Sequence, residues 1–525
     1  MKAVKIMKFS LSYVSVFLLV IMIFSACQTD IYLGIDDENA YVQELLSDEG
    51  ITPTTPEGTA TITREEAAKL RARGEDAEIR ERNMAWSADI NHLRELLLYH
   101  PLLSPNSTRR LSFSLMSDPE HVFFTDRDRF LEHYQILGSP YLSHLQDAEL
   151  RIEIVLAFES LSAQVPELSD AEILLGMSEI MAMLGDTHTG IVLLNDFRRH
   201  IAIEYFYPIS FQYANGNLYM WRILSEYEHL IFSQLAYVND VPAMDVFHQI
   251  NRLIPGSASS HVSWILRCRD ALVYFGVLDR SEYAVEYTLI DRNGETHILT
   301  LEPIRVDENS SEWFSENSVA RGGAADRGHW HTNLHPELNY WHEWLPEYST
   351  MYMRFRHVWE MPDLLYYDFG VKLSGDIQEL INNGTAVERL IIDLRGNPGG
   401  ALSPRVLSLA HYIADFSTQM PIGQTYVIIN SSTNSMGVWV AALLRELNPD
   451  ILLVGEPAIH SPNFFAGPES SYLPNNGAVF SVSWSFWEPL PDYKHDRLMP
   501  DIFLPRTFEC LYYNRDFVLE AIKLH

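Results

Sequence analysis

The stretch Leu390-Ile391-Ile392-Asp393-Leu394-Arg395-Gly396-Asn397-Pro398-Gly399-Gly400 limits what this chain can become more than any other. An apolar run closes on an Asp and an Arg, then breaks into glycine, proline and asparagine. Such a run reads as a buried strand, and such a break as a tight loop. Two more units of the same kind follow. Tyr426-Val427-Ile428-Ile429-Asn430 runs into Ser431-Ser432-Thr433-Asn434-Ser435 and then into a helical pattern from Met436 to Leu447. Ile451-Leu452-Leu453-Val454 runs into Gly455-Glu456-Pro457. Strands alternating with helices predict a layered α/β domain. In such sheets chemistry collects where strands end and helices begin.

At 525 residues the chain has room for two or three domains. Hydrophobic residues make up 47% of it, enough for a large core. Lys and Arg total 38 against 70 Asp and Glu, a net charge of −32. Phosphate binding needs a basic face, so nucleic acid is excluded as a partner. The acidity reads as solubility.

The chain opens with Lys2, Lys5 and Lys8, an apolar run from Leu11 to Phe24, and Ser25-Ala26-Cys27. This is the pattern of a secretory signal with a small-residue cleavage site. Ser-Ala-Cys resembles the lipobox of bacterial lipoproteins. The resemblance implies cleavage before Cys27, a lipid on its sulfur, and an exported protein tethered to the membrane. The apolar run is short for an uncleaved span. Cys268 and Cys510 remain, and the sequence leaves open whether they pair.

Residues 1–27 are therefore the expected signal and lipobox, and 28–85 a polar linker with a charged, partly helical second half. An N-terminal helical domain is expected over 86–200. Ile90, Leu93, Leu96, Leu97 and Leu98 share one face there, as do Ile152, Ile154, Val155, Phe158 and Leu161. Ser169-Asp170-Ala171-Glu172 is a helix start signal, and the helix it opens ends at Gly185, before Asp186-Thr187-His188-Thr189-Gly190. Over 201–305 the period shortens to that of strands, with turns at Asn215-Gly216-Asn217 and Arg292-Asn293-Gly294. Residues 306–345 read as an irregular connection, and 346–525 as the α/β core.

Five motifs in order carry a family likeness. Leu390 to Gly400 resembles the strand and glycine turn of the tail-specific, or C-terminal processing, serine proteases, a group that includes the tricorn core protease. Asn430 to Ser435 resembles that family's nucleophile loop, with Ser435 at the reactive serine. Val454-Gly455-Glu456-Pro457 is similar to the next strand end, and Pro500-Asp501-Ile502 to the late Pro-Asp motif. Asp186-Thr187-His188-Thr189 resembles the Asp-Gly-His-Thr motif of the branch that uses histidine rather than lysine. The resemblance implies a crotonase-like core and, more loosely, a PDZ-like module at 201–305. It implies a peptide or protein substrate and no cofactor. The chain also departs from the pattern. Ile459, His460, Ser461 and Pro462 stand where the lysine branch places its Lys. Val438 replaces the usual acidic residue after the serine, and Thr187 the Gly of the histidine motif.

Peptide hydrolysis by serine needs an activated hydroxyl, donors for the oxyanion and a cleft to hold the peptide. Ser435 precedes an apolar helix, where unpaired backbone N–H groups gather. The expected nucleophile is Ser435; a helix N-cap is the structural alternative. His188 is the expected base. His460 is the alternative base, because it falls near the position of the missing lysine. The amides of Gly399, Gly400 and Met436 are the expected oxyanion donors. For the acid that orients the imidazole, Asp496 and Glu456 are the candidates, Asp186 being set aside as too close in sequence. Asp393 and Arg395 read as a structural ion pair.

His329, His331, His335 and His342 lack metal-site spacing, so no metal is expected. No Gly-x-Ser-x-Gly elbow or phosphate-binding glycine loop occurs. The rival reading is a catalytically inactive lipoprotein of this family that binds peptides or envelope partners.

Overall fold

The computed structural model describes residues 64–98, 148–191, 204–256, 258–305, 310–320, 334–401, 403–487, 490 and 492–524. Cys27 and the expected signal lie outside them. The chain forms two compact units, Met1–Gly74 and Glu75–His525. In the first, residues 64–74 are helical; the architecture below is that of the second. No helix among the described residues is long and apolar enough to cross a membrane.

Helices α1 (Arg64–Leu97), α2 (Ala148–Gln164) and α3 (Asp170–Ala182) come first. Trp86, Ile90, Leu93, Ile154, Phe158, Ile173, Met177 and Met181 bury themselves in one cluster. Ile152 points the other way and is exposed. The start of α3 is a full capping box: Ser169 and Glu172 each satisfy a backbone N–H of the other. Asp170 accepts from Trp86 Nε1 at 2.8 Å and from Arg82 Nε at 2.7 Å, which pins α1 to that end. After α3 the chain turns at Gly185, at φ +64°, and enters the short strand β1 (Gly190–Ile191).

A β-rich module follows. It contains β2 (Tyr205–Phe206), β3 (Ile209–Ala214), β4 (Asn217–Leu224), β5 (Gln234–Val238) and β6 (Val241–Pro242). Helices α4 (Ala243–Leu253), α5 (Ala258–Ile265) and α6 (Arg269–Tyr274) intervene before β7 (Val285–Ile290), β8 (Thr296–Leu301) and β9 (Ile304–Arg305). The sheet runs β10-β4-β5-β7-β8 with β3 on β4 and β6 on β5, β10 being Ser318–Ala320. Asn215 and Gly216, at φ +44° and +83°, make the tight turn that the Asn-Gly pair predicts. Cys268 and Cys510 are both buried and unpaired.

The segment 306–345 is not irregular throughout. It holds α7 (Ser310–Asn317), β10 and the first strand of the core sheet, β11 (Tyr340–Leu345). The aromatic residues of this stretch are what make β11 a strand. Tyr340, Trp341 and Leu345 are buried, as suits a pleated, packed surface.

The core sheet continues through β12 (Thr350–Phe355), α8 (Tyr366–Asn382), β13 (Val387–Asp393), α9 (Pro404–Gln419), β14 (Ile422–Ile429), α10 (Met436–Leu447) and β15 (Leu452–Gly455). A long hairpin, β16 (Phe464–Tyr472) and β17 (Val479–Trp487), leads to β18 (Ile502–Phe503), α11 (Phe508–Tyr512) and α12 (Phe517–Leu524). Strand order is β11-β12-β13-β14-β15-β18, with β11 antiparallel and the rest parallel. Period-two alternation divides β13 between two cores. Leu390 and Ile392 pack with α8, α9 and α10, while Ile391 faces Leu519 and Ile522 of α12.

Asp393 and Arg395 form the structural ion pair, enlarged by a third member. Arg395 meets Asp393 at 2.5 Å and Asp516 at 2.7 Å, and all three are buried. Tyr352 donates to Asp393 at 2.9 Å, and Arg354 donates to the carbonyls of Asp393 and Arg395. The two arginines hold the Asp393 carboxyl below its ordinary range against the opposing effect of burial. Replacing Arg395 with Gln leaves the buried Asp516 carboxylate uncompensated and Asp393 with Arg354 alone. We expect a loss of ~3–5 kcal/mol in a urea unfolding series; an unchanged midpoint refutes the structural role.

Candidate active site

The loop after β14 and the loop after β13 pack against each other. Asn430 Oδ1 accepts from Gly396 N at 2.9 Å and from Ser432 N at 3.2 Å. Thr433 Oγ1 donates to Leu394 O at 3.0 Å, and Asn434 N donates to Asn397 O at 2.8 Å. These bonds bring Ser435, at the mouth of α10, against Gly399. A Cβ on Gly399 would stand 2.5 Å from Ser435 Cβ and 3.0 Å from its Oγ, and the residue sits at φ +99°. Only glycine meets both conditions.

Ser435 has φ +50° and ψ −125°, a conformation that non-glycine residues rarely adopt. Its side chain makes no cap bond to α10. The hydroxyl is thus not committed to the helix, and the strained backbone sets it at the helix mouth. Met436 is the first residue of α10, so its N–H has no intrahelical partner. The Gly399 N–H is different: it donates to Asn397 Oδ1 at 2.8 Å and is occupied. Asn397 is fully buried and donates to Phe355 O, which fixes that arrangement.

Both histidines come to this corner. His460 Nε2 accepts the Ser435 N–H at 2.8 Å, and its Nδ1 lies 2.6 Å from Ser461 O. The second contact requires Nδ1–H, leaving Nε2 as the acceptor. Both nitrogens are engaged, so His460 holds the strained backbone of Ser435 and in this arrangement has no free lone pair for the hydroxyl proton. Burial pushes its pKa down to about 3.

The His188 ring lies 5.7 Å from that of His460, centroid to centroid; His188 stacks on Phe464 and His460 lies tilted against it. Its Nε2 is buried and has no hydrogen-bond partner among the described residues. Asp186 orients the segment. One carboxylate oxygen takes the His188 N–H at 2.8 Å and lies 3.7 Å from His188 Nδ1; the other takes Thr189 Oγ1 at 2.5 Å. The third polar group of this corner is therefore the nearby Asp186. Glu456 instead accepts from Arg506 N, and Asp496 is exposed, with no hydrogen bond or ion pair to either histidine among the described residues.

Sequence reading passed over the hairpin that carries His188 here. Gly190 and Ile191 pair with Ser481 and Phe480 of β17. Ser481 Oγ donates to His188 O, and Ser483 N donates to Thr189 Oγ1. The alternation along Val479-Phe480-Ser481-Val482-Ser483-Trp484 is the signal that marks this strand. The hairpin turn is fixed in its turn by Asp89 of α1, whose carboxylate accepts from Asn475 and Asn476.

No protein-family model matches the chain, and no curated protein matches it. Solved structures do. Mature CPAF is 13% identical with a TM-score of 0.48, over 84% of this chain and 97% of that one. The photosystem II D1 C-terminal processing protease is 12% identical with a TM-score of 0.29, over 72% and 97%. A putative S41 protease from Bacteroides fragilis is 10% identical with a TM-score of 0.26, over 61% and 82%. These are proteins the chain is similar to, and the chemistry of the corner rests on its own side chains.

Two outcomes follow from the geometry. Gly399→Ala should cost about 1–3 kcal/mol and displace Ser435; a crystal structure of the variant with Ser435 unmoved overturns this. For His460, the unfolded imidazole titrates near 6.5 and the folded one near 3. Between those values the unfolded chain binds the extra proton, so stability falls as pH drops through that window. The urea midpoint of the wild type should fall more steeply from pH 6.5 to 3 than that of His460→Gln; parallel profiles refute it.

Proposed function

We propose that the protein is a serine-type peptidase of the tail-specific kind, with Ser435 as nucleophile and His188 as base. The observation that carries this reading is the strained, uncapped Ser435 at the mouth of α10, pressed against Gly399. Its hydroxyl serves no helix-capping purpose, and such strain is characteristic of functional sites. Ser435 Oγ attacks the peptide carbonyl carbon while its proton passes to His188 Nε2. The tetrahedral oxyanion is received by the Met436 N–H and by Gly400. His188 then protonates the departing amine, and water, deprotonated by the same imidazole, releases the acyl group. Asp186 positions His188, and His460 acts as a clamp on the Ser435 backbone.

The wider reading keeps its parts as proposals. The core is taken as crotonase-like and the β-rich module as PDZ-like. Cys27 is taken as the lipidated residue of an exported, membrane-tethered chain. A second reading, an inactive peptide-binding relative, is favoured by one observation: Asn397 occupies the Gly399 N–H that an oxyanion hole would use.

One experiment separates the two. A fluorophosphonate probe should label the wild type at Ser435, and Ser435→Ala should lose both labelling and hydrolysis of an unfolded protein substrate while keeping its unfolding midpoint. His188→Asn should slow turnover by about 10²–10⁴. An unlabelled, inactive wild type supports the binder, and full activity in Ser435→Ala ends the peptidase assignment.

A further inference from the structure

A cavity of about 420 Å³ lies against the nucleophile loop, with Asn430 and Ser432 in its wall. That volume falls within the range of small-molecule sites. It opens where the parallel strands end: Arg354 stands at the end of β12, Asn430 follows β14 and Glu456 follows β15. Ligands of open α/β sheets bind in that position. Gln212 and Trp221 of the β-rich module close it from one side, and Phe517 of α12 from another.

The charge lining the cavity is opposite to that of the chain as a whole. Four arginines face it in a protein of net charge −32. Arg354 and Arg395 are already matched by Asp393 and Asp516. Arg356 and Arg506 form no ion pair among the described residues. Arg356 donates to Pro336 O. Arg506 Nη2 donates to Gln212 Oε1, while its Nε is buried without a partner. Glu456, the remaining wall carboxylate, accepts from the Arg506 main-chain N–H rather than from the guanidinium. Two guanidiniums thus face one cavity with a single acid to offset them. Guanidinium is the side chain best suited to forked recognition of an oxyanion.

We infer that this cavity binds a small oxyanion, a carboxylate or a phosphate, between Arg356 and Arg506, and that its occupant steadies the nucleophile loop. The second half of the inference rests on the reading of Ser435 above. The coupling is short. Asn430 and Ser432 line the cavity, and the Asn430 side chain also ties the glycine loop to the nucleophile loop through Gly396. Ser435 stands three residues beyond Ser432 in the same loop. A ligand seated against Asn430 restrains both arms of the corner at once.

The test is calorimetry on the purified full-length protein at constant ionic strength, with inorganic phosphate, succinate and chloride as probes. Saturable binding of phosphate or succinate, absent with chloride, is expected, and the preferred probe identifies the anion class. Arg356→Gln and Arg506→Gln should each weaken it at least tenfold; Arg356 is the more exposed and decides the matter if the Arg506 variant fails to fold. Amide exchange over 430–436 should slow when the probe is bound. No saturable binding to either anion, or equal binding in the Arg356 variant, overturns the site. Binding without slower exchange overturns the coupling. Because these readouts need no peptidase activity, an unreactive Ser435 would sink the proposed function and leave the anion site standing.

Discussion

Arg395, held between Asp393 and Asp516, is the contact on which the rest of this fold depends. It ends β13, anchors the start of the glycine loop, and draws α12 onto the sheet. A buried ion pair does little for stability on balance, because desolvation offsets attraction. Its value here is geometric. Arg354 donates to the carbonyls of Asp393 and Arg395, so the chain can leave the strand in one direction only. Gly399 reaches Ser435 because that exit is fixed.

The corner around Ser435 is assembled from four separate pieces of chain. The glycine loop supplies the close approach, α10 supplies an unpaired N–H, residues 458–464 supply His460 and Phe464, and the segment before β1 supplies His188. Each piece is held by polar contacts remote from the corner. Asp89 fixes the hairpin turn, β17 fixes β1, and Asp186 fixes the turn that carries His188. The helical domain therefore acts on the site through a rigid hairpin. Among these pieces His460 has the most unusual position, since a buried neutral imidazole accepts a backbone N–H from a strained residue. That use engages both ring nitrogens of His460, whereas His188 Nε2 has no hydrogen-bond partner among the described residues.

Much of the fold was legible because it rests on local rules. The strands at 387–393 and 422–429, helix α10, the capping box at Ser169 and the Asn215-Gly216 turn all follow from periodicity, capping and positive-φ residues. Ser435 and Gly399 were legible as a pair because a glycine turn and a helix start flank them in order. Other features carried no local signal. Tyr340 and Trp341 fall in the stretch that reads as an irregular connection, yet they are core, because burial depends on what packs against a strand. Asp186 was set aside for lying two residues from His188; the turn between them brings its carboxylate to both the backbone and the ring.

The sequence by itself determined the alternation of strands and helices, the glycine loop, and the types of residue available for acid–base chemistry. Those are properties of neighbours along the chain, where steric and capping rules act over a few residues. The tertiary structure alone decided which of two histidines keeps a free nitrogen, which carboxylate stands beside it, and that Asn397 takes the Gly399 N–H. It also decided that Arg356 and Arg506 share one cavity. Those outcomes depend on distances between segments up to nearly 300 residues apart, and such distances are set by packing rather than by local preference.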